Sequence, residues 1–368
     1  MFLGLRKSTF LGIDFGTSSI KAVELTLDNG QPKLLNYAEI DLTGQDKKVL
    51  EGKSYDEQIV LHLRALIQKM KPKTKEACVA MPAFIGLTAL IEFPEMDEKE
   101  LEEAIHFEAH KYIPSSLDDV ALSWEVVGMK PGASENSSSR MEVLLVAALK
   151  NEVARYQSYV EEAGLEMSYL ELETFSLVRS VVDHKDGIYL VIDIGSRATN
   201  LVLAGNGSVK MSRNLDMGGK EVTRTLAEGL NITMERAESL KKSSKDFFNL
   251  PASALVFTTL QGIASEGERM IAAYKEKNPG WACKGIILSG GTGKMTGLKE
   301  YYSKIFNLPV EHGNPWQLIT VGTDVSLINL DTSFSIAIGL ALAKINAADK
   351  KDVFKKKFSM KDILNKKL

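Results

Sequence analysis

The sequence predicts an α/β protein of two domains built on one duplicated core, with a small α+β unit set into the first copy. Three observations predict it. The stretch GIDFGTSSIKAVE at 12–24 is answered by VIDIGSRATNLVL at 191–203, and both run apolar–Asp–apolar–Gly–Ser/Thr before returning to alternating apolar residues. That pattern is a strand, a tight turn and a second strand. The copies lie about 180 residues apart, too far for a solenoid repeat and suited to two copies of a domain core. Between them, residues 82–149 interrupt the regular pattern with a strand, a helix and two further strands of their own.

The elements follow in order. Phe10–Asp14, Ile20–Leu25 and Lys33–Asp41 read as strands, with Asp28-Asn29-Gly30 turning between the last two. Ser54 and Glu57 form a capping box, after which Ile59, Val60, Leu63, Leu66, Ile67 and Met70 share one helical face; Pro72 closes that helix. Lys75–Met81 is a short strand. In the inserted unit, Leu87–Phe93 reads as a strand and Asp97 caps a helix to about Tyr112, ended by Pro114. Strands at about Ala121–Gly128 and Met141–Leu149 flank the polar loop PGASENSSS. Asn151 reads as the cap of a helix ending near Gly164, followed by a strand at Met167–Glu171 and a helix at Glu173–Val182. In the second copy, Gly205-Asn206-Gly207 turns a hairpin, Gly218-Gly219 opens a helix to Leu230, and Thr233 caps another to Lys242. Pro251 starts a long helix to about Lys277, Ile286–Ser289 is a strand, and Thr332 or Ser333 caps a last apolar helix. The expected division is 1–81 with 150–186, an insert at 82–149, a second domain at 187–348 and a tail at 349–368.

Bulk properties narrow the class. A hydrophobic content of 44% and a charged content of 25% are ordinary for a globular chain. A formal net charge of -3 argues against a generic nucleic-acid binder. Cys78 and Cys283, the two cysteines, form no CxxC and fit a reducing compartment. The opening MFLGLRKSTFLGID has apolar runs too short for a secretory signal, and no stretch approaches the roughly 18–20 apolar residues of a membrane span. A cytoplasmic protein without a transmembrane segment is expected. The tail from Asp349 carries eight Lys against three Asp. A solvated tail is the plain reading; a basic segment resting on acidic lipid or a partner is the sharper one.

The hairpins carry the chemistry. Gly16 and Gly195 permit the turn, and Thr17, Ser18 and Ser196 offer N–H groups and hydroxyls at the tip, where an anion can be cradled. Asp14 and Asp193 stand at the strand ends and would repel a bare phosphate unless a hydrated Mg²⁺ lay between. Two such hairpins facing each other would grip a polyphosphate from both sides. Two turn-forming Asp residues are the plainer alternative. Lys294 after Gly293 is no P-loop, because no Gly stands five residues before Gly293 and Met295 replaces the Ser/Thr. His106 and His110 lie four apart, but Phe107 stands where a zincin needs Glu, so a solvated or partner-facing helix is expected.

Asp-x-Gly-Ser/Thr twice, followed by Gly290-Gly291 within GIILSGGTGKMTGL, resembles the actin-like ATPase superfamily. The resemblance implies a two-domain actin-like fold binding ATP, with Asp14 and Asp193 holding Mg²⁺ largely through water. It makes Gly16, Thr17, Ser18, Gly195 and Ser196 the phosphate cradle, and Gly290 and Gly291 the adenosine motif. Lys21 then neutralises phosphate charge, unless it is a surface Lys on an alternating strand. AESLKK at 237–242 resembles the helix that flanks the nucleoside, implying Glu238 and Lys241 as contacts; an ordinary salt bridge has the same spacing. Gly218 and Gly219 bring a further backbone near the nucleotide. The water-orienting carboxylate is expected at Glu171 or Glu173, with Glu173 preferred. Ser196-Arg197-Ala198 stands where the heat-shock chaperones crowd glycines, which implies binding without fast hydrolysis.

The insert narrows the branch. MDEKELEEAIHFEAHKYIPSSLDDVALSWEVVG closely resembles the same region of the PilM family of type IV pilus assembly proteins. That resemblance implies an ATP-binding adaptor, peripheral to the cytoplasmic face of the inner membrane. Its insert, with walls from residues 81–128, would seat the cytoplasmic N-terminal segment of a PilN-type membrane protein. Other pilus platform and motor proteins, and self-association, are further partners it admits. FtsA, the cell-division relative with the same subdomain placement, usually ends in an amphipathic membrane helix; the tail here is richer in Lys and weaker in apolar stripe. A small-molecule kinase would need a carboxylate base and sugar-binding loops that the sequence does not offer. An adaptor is expected to turn over about once per minute or less, against about 1–100 per second for kinases.

Overall fold

The computed structural model describes residues 8–42, 51–130, 139–182, 185–205, 208–249, 255–322 and 331–349, with side chains of the last helix described to Ile345. The PGASENSSS loop up to Ser138, the turn at Asn206-Gly207, the helix start expected at Pro251 and the basic tail beyond Asp349 lie outside the described residues.

The first copy opens with strands β1 (Thr9–Phe15), β2 (Ser19–Asp28) and β3 (Gln31–Asp41), then helix α1 (Tyr55–Met70) and strand β4 (Glu76–Met81). The insert comprises β5 (Gly86–Pro94), α2 (Glu98–Ala109), β6 (Val120–Lys130) and β7 (Arg140–Leu149). The chain returns through α3 (Lys150–Glu162), β8 (Glu166–Leu172) and α4 (Glu173–Val181). The second copy runs β9 (Ile188–Ile194), β10 (Thr199–Gly205), β11 (Ser208–Leu215), α5 (Gly219–Leu230), α6 (Met234–Lys241) and α7 (Thr258–Lys277). It ends with β12 (Ile286–Ser289), α8 (Gly290–Gly293), α9 (Leu298–Phe306), β13 (Val310–His312), β14 (Thr320–Val321) and α10 (Ser335–Asp349).

The duplication is exact in topology. One sheet contains the order β3-β2-β1-β4-β8 and the other β11-β10-β9-β12-β13. In each, three antiparallel strands are followed by two joined in parallel. The alternation of β1 explains its central place. Leu11, Ile13 and Phe15 enter the core formed with α1 and α3, while Phe10 joins Val23, Leu25 and Leu34 on the opposite face, under α10. The Ser54–Glu57 capping box forms as expected at α1.

α4 and α10 lie between the sheets and join them. Leu177, Val178 and Val181 pack with Ala80 of β4, Val191 of β9, Ile287 of β12 and Leu340 of α10 in one cluster. The approach is close enough to require glycine. A Cβ at Gly12 would stand 2.2 Å from Ala337 O, and one at Gly339 would stand 1.9 Å from Ser176 O. β14 pairs in parallel with β3, so Thr320 and Val321 add a strand to the first sheet.

The insert is a three-stranded antiparallel sheet, order β5-β7-β6. Met141, Val143, Leu145 and Ala147 of β7 face Leu101, Ile105 and Ala109 of α2. Leu144, Val146 and Ala148 on its other face join the core of the first copy. β7 is therefore buried on both sides and anchors the insert to its host. Phe107 of α2 is 75% exposed.

Four boundaries differ from expectation. Leu149, not Asn151, is the residue before α3; Asn151 lies in the first turn, its Oδ1 accepting the Glu152 N–H. Asp331 rather than Thr332 or Ser333 caps the last helical segment, accepting from Ser333 N at 2.8 Å. α2 stops at Ala109, short of Tyr112, because residues 110–113 close in tight turns. α7 begins at Thr258. No helix among the described residues is long and apolar enough to cross a membrane.

Candidate functional site

Each hairpin places its Asp by register. In the first, Asp14 of β1 lies opposite Lys21 of β2, and Lys21 lies opposite Glu39 of β3. Residues opposite one another on antiparallel strands share a face, so the three form a charged row. In the second, the same row reads Asp193, Asn200, Asn214. Gly16 and Gly195 shape the two turns alike: a Cβ would stand 2.8 Å from Ser19 O in one and 2.9 Å from Ala198 O in the other. Thr17 is exposed at the first tip, with Ser18 and, at the second, Ser196 half-buried.

The two Asp residues meet electrostatically. Desolvation pushes the Asp14 carboxyl up to about 6; Lys21 pulls it down, and Asp193 adds to the rise. Asp193 is also raised, first by loss of hydration, against the opposing pull of a Ser289 hydrogen bond and of Lys21. Glu173 at the start of α4 is also raised, to about 8. Desolvation dominates there, Ala83 N–H opposes it, and Asp193 and Asp14 add repulsion. Asp14, Asp193 and Glu173 thus repel one another where the hairpins meet, and Lys21 offsets the charge of the two Asp residues. Lys21 is 9% exposed, which decides against a surface strand position; its Nζ lies 2.6 Å from Ser19 Oγ and 3.2 Å from Glu39 Oε1.

Glu171 and Glu173 separate clearly. Glu171 is buried and receives Arg179 at 2.7 and 2.9 Å, Ser176 Oγ at 2.7 Å and Tyr169 OH at 2.9 Å. It is a structural ion pair, and Arg179 also donates to Gly339 O of α10. Glu173 faces the Asp pair.

The second copy supplies a further wall. Gly219 N–H donates to Gly195 O, and Lys220 N–H to Ser196 O, each at 2.8 Å, so the start of α5 is tied to the second hairpin tip. A Cβ on Gly219 would stand 2.1 Å from Thr292 Oγ1; one on Gly218 would meet Gly195 O and Ser196 O. Glu238 accepts from Lys241 at 2.7 Å and from Thr223 Oγ1 at 2.5 Å. Burial works against its charge, but these donors hold its pKa below the usual value. Lys241 also donates to Gly219 O and Thr223 Oγ1, which engages all three of its N–H groups. The pair thus forms the i,i+3 salt bridge and braces the Gly218-Gly219 turn. Gly290 has φ +78°, and a Cβ there would lie 2.6 Å from Ile194 O, whereas Gly291 has nothing within 4 Å. Lys294 pairs with Asp331.

Sequence reasoning missed Asn200, Ser289 and Thr292. Asn200 is 3% exposed; its amide nitrogen donates to Thr174 Oγ1 at 3.0 Å, and its Oδ1 is without a partner. The signal was present: Lys21 and Asn200 each stand seven residues after their Asp.

Acidic crowding fits a hydrated divalent cation; Gly218 and Gly219 let the start of α5 close on the second hairpin and on Thr292, and Gly291, where a Cβ would meet nothing within 4 Å, leaves open space beside them. No group of three or more His, Cys, Asp or Glu among the described residues is placed to ligate a metal directly.

Paired sheets of one topology, two helices between them and facing acidic hairpins define a two-domain actin-like ATPase fold with an inserted α+β subdomain. Residues 12–345 match the family described as type IV pilus assembly protein PilM, and the chain belongs to that family. Among solved structures it is similar to the PilM–PilN type IV pilus biogenesis complex, with a TM-score of 0.76 and 24% identity over 91% of this chain and 98% of that one. MreB5 of Spiroplasma citri bound to AMPPNP shares the fold at a TM-score of 0.50 and 14% identity, covering 94% of this chain and 98% of that one. The cell division protein FtsA of Neisseria meningitidis serogroup B is 25% identical over 258 residues; the match spans 62% of this chain and 61% of that protein's length.

Proposed function

We propose that this PilM-family chain is an adaptor that binds ATP with Mg²⁺ between its two copies and holds the cytoplasmic N-terminal segment of a PilN-type membrane protein on its insert. It would work at the cytoplasmic face of the inner membrane. The working units are 1–81 with 150–186, 187–348 and the partner-binding insert 82–149, with β14 and α10 at the end of the second unit packing on the sheet of the first. The meeting of Asp14, Asp193, Glu173 and Lys21 carries this reading. The solved PilM–PilN complex and the AMPPNP-bound MreB5 support the partner and the nucleotide by analogy of fold.

Asp14 and Asp193 would hold the metal through water. Bound Mg²⁺ supplies positive charge that draws phosphate oxygens and favours ionised carboxylates. Gly16, Thr17, Ser18, Gly195 and Ser196 cradle phosphate, and Lys21 offsets its charge. Gly218, Gly219, Gly290 and Gly291 form the nucleoside side, and Glu238 with Lys241, whose three N–H groups are already engaged, supports it by bracing the Gly218-Gly219 turn. Glu173 would orient water; raised to about 8, its carboxyl keeps its proton near neutrality until a bound cation favours ionisation. With Ser196-Arg197-Ala198 at the second tip, turnover is slow.

Three contacts support coupling of site to insert. Ala83 N–H, at the root of β5, donates to Glu173 Oε1 at 3.1 Å. The Arg197 guanidinium lies over the Phe84 ring, 5.7 Å from its centroid. Thr88 of β5 and Ser212 of β11 share a hydrogen bond of 2.8 Å. The insert thus touches both copies, and closure of one on the other would shift it. The test is the affinity of a synthetic PilN-type N-terminal peptide with and without ATP and Mg²⁺. Tighter or weaker binding with nucleotide is expected; equal values would remove the coupling.

A further inference from the structure

The row Asp14–Lys21–Glu39 sets one ammonium between two carboxylates on neighbouring strands of one sheet face. The two flanking carboxylates are not equivalent. Asp14 is buried at the site, whereas the Glu39 side chain is 42% exposed and the Lys21 side chain only 11%. Lys21 is held in place by its surroundings and by Ser19 Oγ, itself on a residue 5% exposed. Glu39 can swing into water; Lys21 cannot.

The second copy shows that the scaffold does not require this charge. Its matching row places Asn200 and Asn214 where the first has Lys21 and Glu39, on strands in the same order. The first copy therefore carries a cation and its counter-ion where the second carries two neutral amides. An ammonium this buried needs a partner while the site is empty, and Glu39 provides it at 3.2 Å.

We infer that Glu39 is a built-in competitor for the Lys21 ammonium, displaced by nucleotide phosphate, and that it sets how tightly the site holds a polyphosphate. The inference rests on the nucleotide reading above and adds a determinant of affinity to it. Phosphate and Glu39 offer the same chemistry, an anionic oxygen, to one donor. Removing the Glu39 charge frees Lys21 for the ligand and lowers the negative field that the phosphates meet.

The experiment uses the full chain as wild type, Glu39→Gln, Glu39→Asp, Lys21→Met and the double variant Lys21→Met/Glu39→Gln. Dissociation constants are measured for ADP, ATP and adenosine, each with and without Mg²⁺, alongside thermal melting. Glu39→Gln is expected to bind ADP and ATP about three- to tenfold more tightly at low salt, with the gain shrinking as salt rises. Its affinity for adenosine, which carries no phosphate, stays unchanged. Glu39→Asp restores near wild-type affinity, and the gain vanishes in the Lys21→Met background. Unchanged or weaker ADP binding by Glu39→Gln overturns the inference, as does an equal change for adenosine, which would mark a general structural effect. Wild type that binds no nucleotide overturns the nucleotide reading as well; wild type that binds while Glu39→Gln matches it overturns this inference alone.

Discussion

The two copies of the core share a strand order and a turn, yet differ in what they add to it. The first row is Asp14–Lys21–Glu39 and the second Asp193–Asn200–Asn214. After its fourth strand the first copy leaves for the insert through Ala83 and Phe84. The second passes straight into Gly290-Gly291, after Ser289 at the end of β12. The backbone scaffold is thus held constant, while charge and connection differ: the first copy carries the Lys21–Glu39 pair and the insert, the second the Gly290-Gly291 turn. A duplicated fold can divide labour this way because register carries each Asp to the same place whatever its neighbours are.

The largest test of that comparison removes what the copies share. Asp193→Ala should lower Mg²⁺-nucleotide affinity by about 100-fold, measured by calorimetry, because a group that fixes the metal's water is lost. The empty protein should melt no lower than wild type, since Asp193 adds repulsion to Asp14 and Glu173. Unchanged nucleotide binding would show that the Asp pair does not act as a pair.

Next come the residues that differ. Lys21→Met should weaken ATP binding by about tenfold through lost Coulombic attraction. Asn200→Ala should change it much less and shift stability by no more than about 1 kcal/mol, since it removes one hydrogen bond together with an unsatisfied atom. Equal effects from the two would erase the proposed division of labour.

A third test uses pH. The Glu173 pKa rises from 4.5 to about 8 on folding, so the folded state holds the extra proton more tightly. The resulting stabilisation is complete below about 4.5 and is lost as pH rises through about 8; Asp14, raised to about 6, acts in the same direction over a lower range. The melting temperature of nucleotide-free protein should therefore fall between pH 5.5 and 8.5, and Glu173→Gln should flatten that fall. A variant that kept the whole slope would place the titration elsewhere.

The smallest effect concerns the link between copies. Arg197→Ala removes a cation–π contact on Phe84 worth about 0.5–1 kcal/mol at an exposed site. It should reduce the nucleotide dependence of PilN-type peptide binding by about two- to fivefold, read by fluorescence anisotropy, with peptide affinity in the absence of nucleotide unchanged.

Much of the fold was legible because its signals are local. The repeated Asp-x-Gly turn, the Ser54–Glu57 box and the Gly218-Gly219 helix start each follow from residues within one turn of chain. Helix starts without such a box were less legible. Leu149 precedes α3 with no side-chain bond at all, so nothing in its identity marked the boundary. Glu171 and Glu173 could not be told apart by position, because only the turn from β8 into α4 brings Arg179, about two helical turns on, back to Glu171.

By itself the sequence determined the duplication, the alternation of β1 and β2, the acidic hairpins and the independent insert. These depend on periodicity and turn chemistry, which act between near neighbours. Only the tertiary structure decided that α10 packs on the first sheet, with Gly12 and Gly339 admitting its backbone. It alone brought Glu173 to the Asp pair and laid Lys21 between Asp14 and Glu39. Those outcomes turn on strand register, which lays Lys21 between its neighbours, and on the crossing of helices distant in the chain, where packing and desolvation decide what meets.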